Sequence, residues 1–139
     1  MSLRIAFASI AAAFSQVISA QTLDGKWLGR DGPQAEVACW LIDRKVDGTY
    51  AVEFLVRERP GLVKHVETGT WHRAGVRYIT VAETFDGQPI KVERVKRTAA
   101  YQIEYVSNES FVYFDVPTKV RFRVQRVPES WTLGSKCPL

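Results

Sequence analysis

From about residue 24 onward, apolar and polar side chains alternate along the chain with a period of two. Tyr50, Val52, Phe54 and Val56 alternate with Ala51, Glu53, Leu55 and Arg57. Val76, Tyr78, Thr80 and Ala82 alternate with Arg77, Ile79, Val81 and Glu83. The sharpest run is Val120, Phe122 and Val124 against Lys119, Arg121, Arg123 and Gln125. Successive side chains of a strand point to opposite faces, so this pattern predicts half-buried antiparallel strands. Turn chemistry separates the runs, at Val46-Asp47-Gly48, Ala74-Gly75, Asp86-Gly87, Ser107-Asn108-Glu109-Ser110 and Val116-Pro117.

The spacing predicts strands near residues 24–30, 36–44, 49–58, 64–73, 76–83, 89–96, 100–106, 111–116 and 118–127. No segment in this stretch shows a 3.6-residue period, and β-branched and aromatic residues are plentiful. Strands joined by short hairpins form an up-and-down meander, and such a meander hides its edges by closing. A sandwich would need a long crossover connection, which the even spacing does not provide. The expected fold is all-β: a single antiparallel up-and-down β-barrel of eight or nine strands.

Composition narrows the setting. The chain has 139 residues, 46% hydrophobic and 24% charged, which excludes a disordered tail and a multidomain enzyme. Met1 to Ala20 reads as a signal peptide: Arg4 is its only charge, Ile5 to Phe14 is apolar but for Ser9, and Ile18-Ser19-Ala20 precedes Gln21. The expected division is therefore 1–20, a cleaved leader, and 21–139, a barrel domain. Removal of the leader lowers the formal net charge only from +4 to near +3, too little for a nucleic-acid binder. No second long apolar segment predicts a transmembrane helix. Two cysteines, Cys39 and Cys137, fit an exported chain with a disulfide, which would pin the tail Pro128 to Leu139 onto an early strand. Secretion, or a periplasmic location, is the expected destination.

Four pieces in order then resemble the lipocalin-like, or calycin, barrels, in their small secreted bacterial form. Gly25-Lys26-Trp27 resembles the GxW that opens that fold. Asp47-Gly48-Thr49-Tyr50 resembles the DGTY step into a later strand. Glu67-Thr68-Gly69-Thr70-Trp71 resembles an ExGTW strand. Tyr101 to Tyr105, followed by Phe111 to Phe114, is similar to the closing hairpin. The resemblance implies structural roles for Gly25, Trp27 and Trp71, with Trp27 under the barrel floor. It also implies an arginine from the last strand across Trp27, and Arg121, Arg123 and Arg126 are all available. The TDY motif and C-terminal helix of lipocalins are absent, and no histidine beyond His72 could hold haem as nitrobindin-type barrels do.

Candidate chemistry is sparse. His65 and His72 are an odd number apart and fall on opposite faces of one strand unless a bulge at Gly69 restores the phase. No nucleophile elbow or phosphate loop exists, so neither a catalytic residue, a metal site nor a cofactor is expected, and the chain is not read as an enzyme. Glu53 could face inward or outward, and water is the commoner choice for a carboxylate. The expected interior holds Tyr50, Val52, Phe54, Tyr78, Tyr101, Tyr105, Tyr113 and Phe122 as ligand-binding positions, with Ile90, Val92, Ile103, Phe111 and Val124. Apolar walls carrying a few phenols suit a small hydrophobic or amphipathic molecule. An eight-strand barrel can equally be filled by its own side chains. The alternative function is then a solid-core periplasmic interaction or inhibitor protein. Its basic residues Lys91, Arg94, Lys96, Arg97, Lys119, Arg121, Arg123 and Arg126 would meet an anionic surface or protein partner.

Overall fold

The computed structural model describes residues 22–30 and 35–139; the predicted leader lies outside the described residues. Nine strands form there: β1 Gly25–Arg30, β2 Val37–Arg44, β3 Thr49–Glu58, β4 Gly61–Ala74, β5 Arg77–Phe85, β6 Gln88–Pro89, β7 Thr98–Val106, β8 Ser110–Asp115 and β9 Arg121–Val127. Each long strand pairs antiparallel with its neighbours, and β9 returns to β1 with Trp27 facing Arg126 and Gly29 facing Val124. β4 pairs with β5 to complete the ring, so eight strands close a barrel and β6 hangs on the end of β5. The architecture is compatible with a calycin-like fold.

The expected strand at 89–96 does not form. Only Gln88 and Pro89 pair with β5, and Arg94–Arg97 make one turn of 3₁₀ helix. Proline has no N–H to offer the ladder, and one further backbone bond, from the Ile90 N–H to the Glu83 carbonyl at 2.9 Å, follows before the chain leaves β5. The released segment borders the barrel cavity with Ile90 and Val92, of which Val92, expected inside, is half exposed.

The alternating pattern places Trp27, Trp40, Ile42, Tyr50, Val52, Tyr78, Ile103, Phe111, Tyr113 and Val124 in one inner core. β2 is apolar on both faces, because its outer residues Cys39 and Leu41 are also covered. They join Leu28, Leu55 and Leu133 in a second core outside the barrel wall. Leu55 and Leu133 are 1% and 4% exposed, and burying such a side chain stabilises by roughly 1.5–3 kcal/mol. The cover is the C-terminal tail. Cys137 is bonded to Cys39, while Lys26 and Lys64 donate to the carbonyls of Trp131 and Leu133 at 3.0 and 2.7 Å.

Two glycines permit close approaches. At Gly69 an added Cβ would stand 2.0 Å from the Val81 carbonyl oxygen, so β4 and β5 can close the ring only around a glycine. Gly25 has φ +96°, and an added Cβ would lie 2.6 Å from Arg126 Nη1. That space lets Arg126 lie across Trp27, which is fully buried and donates its indole N–H to the Leu23 carbonyl at 3.0 Å.

Candidate functional site

Away from the Trp27 floor the barrel holds a partly open cavity of about 470 Å³. Seven of the eight expected ligand-facing residues line it: Tyr50, Val52, Phe54, Tyr78, Tyr101, Tyr113 and Phe122. Tyr105 does not; it is 56% exposed. A bulge between Ile103 and Tyr105 in the β7–β8 ladder inserts one residue, so Tyr105 faces outward and Val106 packs on the inner core. Trp40, Ile42, Thr80, Ala82 and Ala99 complete much of the wall, and Ile90, Val92, Lys96, Arg97 and Thr98 form its far edge. Arg97 is fixed there by donating to the carbonyls of Ala82 at 2.7 Å and Val92 at 3.0 Å.

The aromatic side chains brace one another. Tyr78, Tyr101 and Tyr113 have ring centres 5.1–5.6 Å apart, in one stacked and two edge-on pairs. Phe122 stacks on Tyr113 at 5.1 Å and meets Trp40 edge-on at 6.2 Å. Burial drives the hydroxyl pKa of Tyr101 and Tyr113 well above the ordinary tyrosine value, so both remain neutral donors.

Two charged residues inside the barrel were not foreseen as site residues. Glu67, opposite Val52 on β4, faces the cavity and accepts a 2.7 Å hydrogen bond from the Tyr50 hydroxyl. Burial raises its pKa above the usual carboxylate value, and the Tyr50 bond opposes that rise. Arg44, the last residue of β2, is 1% exposed. Its Nε donates to the Tyr78 hydroxyl at 2.8 Å, and its guanidinium lies 4.7 Å from the Tyr78 ring centre. Its charge also reaches the Tyr113 hydroxyl, while Nη1 and Nη2 make no well-formed hydrogen bond among the described residues. The parity shared with Trp40 and Ile42 is the signal that could have placed Arg44 inside. For Glu67 no such signal exists, since neither face of β4 is consistently apolar.

Elsewhere the expectations divide. Arg126, not Arg121 or Arg123, packs on Trp27, at 4.2 Å from the ring centre. Arg121 instead binds Glu104 on the outside at 2.8 and 2.5 Å, and Arg123 is exposed, because odd positions of β9 point away from the interior. Trp71 stands at the floor end and donates to the Lys45 carbonyl at 3.0 Å. Glu53 faces outward, 3.7 Å from Lys64. His65 lies near the opposite rim between Asp86 at 2.7 Å and Glu58 at 3.0 Å, and those carboxylates raise its pKa. The bulge beside Gly69 adds its extra residue to β5, not β4, so His72 keeps the opposite phase. Among the described residues, no group of three His, Cys, Asp or Glu side chains is arranged to hold a metal ion, and no helix is long and apolar enough to cross a membrane.

Compared with known proteins, the chain matches no family model and no curated protein.

Proposed function

We propose that the chain is an exported lipocalin-like binding protein that holds a small apolar or amphipathic molecule inside its barrel, without turning it over. The observation that carries this reading is the cavity of about 470 Å³, walled by aromatic and aliphatic side chains with a few polar groups. Small-molecule sites typically enclose roughly 300–1,000 Å³ and have this lining. Export accords with the Cys39–Cys137 bond, since disulfides persist in oxidising compartments.

The test fills the cavity from its wall. Val52→Trp should leave the unfolding free energy in urea within about 1 kcal/mol of wild type, because the new ring enters empty space rather than packed atoms. The same change should abolish uptake of a fluorescent fatty-acid analogue. Native mass spectrometry of the purified protein, followed by solvent extraction, should find a co-purifying small molecule. Lower stability in the variant with no probe uptake by either protein overturns the reading, and a macromolecule bound to the outer surface then becomes the better account.

A further inference from the structure

Arg44 poses a physical problem that the barrel alone does not solve. A buried guanidinium carries five N–H donors and a full charge, and it normally meets a carboxylate or several acceptors. Here it meets the Tyr78 hydroxyl through Nε, the faces of Tyr78 and Phe111, and the Tyr113 hydroxyl, whose oxygen feels its charge; no carboxylate or backbone carbonyl among the described residues accepts from Nη1 or Nη2. Among the described residues no carboxylate forms an ion pair with it. Among the described residues Glu67 is the single carboxylate lining the cavity; it is engaged by Tyr50, its charge reaches the Tyr78 and Tyr101 hydroxyls, and it forms no ion pair with Arg44.

The arrangement has a direction. The Tyr78 oxygen accepts from Arg44, so the Tyr78 proton is free to be donated, and Tyr78 lines the cavity. Positive charge behind the oxygen strengthens that donor. Tyr101 and Tyr113, packed against Tyr78, also line the cavity, and among the described residues neither hydroxyl donates to an acceptor. Three neighbouring phenols with protons to give, backed by an uncompensated cation, form a site for an anion. Lys96 and Arg97 at the far edge add positive charge along the way in.

We infer that the occupant is an amphipathic anion, with a carboxylate head held at Tyr78, Tyr101 and Tyr113 in front of Arg44. This rests on the proposed binding function and specifies its ligand class. The apolar body lies against Trp40, Phe54 and Phe122. Arg44 stands behind the tyrosines and acts through Tyr78 and through its field, which a low-dielectric interior screens little.

The experiment compares decanoate with decan-1-ol, equal in length and differing in charge, by isothermal titration of the whole protein. Decanoate should bind about tenfold more tightly, the effect of one charge-assisted hydrogen bond. Tyr78→Phe, which keeps the ring packing, and Arg44→Met should each remove that preference, weakening decanoate about tenfold more than decanol. Far-UV circular dichroism checks the fold of both variants, and Tyr78→Phe alone suffices should Arg44→Met not fold. Equal affinities in the wild type overturn the anion inference but leave the binding function standing. A preference that survives Tyr78→Phe but disappears in Lys96→Gln also overturns it, placing the head group at the mouth. If neither compound binds, the inference falls together with the binding function.

Discussion

Arg126 lies 4.2 Å above the centre of the Trp27 ring and faces that residue directly across the β1–β9 ladder. The guanidinium also donates to the carbonyls of Asp24 at 2.8 Å, Thr22 at 3.2 Å and Asn108 at 2.7 Å. One side chain therefore ties the entering chain, the β7–β8 turn and the floor tryptophan together. Trp27→Ala removes the plug and should cost about 3–5 kcal/mol in urea unfolding. A loss below about 1 kcal/mol would contradict the plug, since it would mean the floor closes without the ring.

The outer core depends on a tail that has no strand partner of its own. Cys39 and Cys137 are 98 positions apart, and replacing Cys137 by Ser should destabilise the protein by about 2–5 kcal/mol. Leu133 should then become accessible, and proteolysis should begin between Pro128 and Leu139. A thiol titration of the unreduced protein that finds two free sulfhydryls would refute the bond.

Glu67 makes stability depend on pH. Its folded pKa is raised, chiefly by burial, so the folded state favours the protonated form. Stability is therefore highest below the unfolded value of about 4.3 and falls as pH rises through the folded pKa. Glu67→Gln keeps an oxygen for Tyr50 and cannot ionise. Its urea midpoint should exceed that of wild type at pH 7, and the gap should vanish near pH 4. A gap that widens on acidification would show that the carboxylate is stabilised, not penalised, by its site.

Much of this fold is legible in the alternation, and the failures are local. Phe122 and Val124 announce the inner face of β9, and Arg126 shares their parity; only its charge argues against placing it inside. Tyr105 obeys the same alternation on paper, but one inserted residue after Ile103 reverses it, and no residue type marks that bulge. Residues 89–96 look like a strand because Ile90, Val92 and Val95 repeat at nearly even intervals, whereas the chain leaves β5 after one bond from Ile90 and winds into a 3₁₀ turn. The inward tyrosines follow from their strands. Arg44 shares the parity of Trp40 and Ile42, and only its charge argues against the interior, whereas Glu67 sits on a strand with no consistently apolar face to place it.

The pairing of β1 with β9 has a consequence for how the chain is made. Residues 102 positions apart must meet before the wall is continuous, as Arg126 and Asp24 do. Contacts of that separation form late, because closing so long a loop must precede any return from it. Until Arg121–Val127 docks, β1 and β8 each present an open row of N–H and C=O groups that another copy can match. Growing chains that stop short of β9 are therefore sticky, and the final strand acts as the barrel's protection against self-association as well as its last stave.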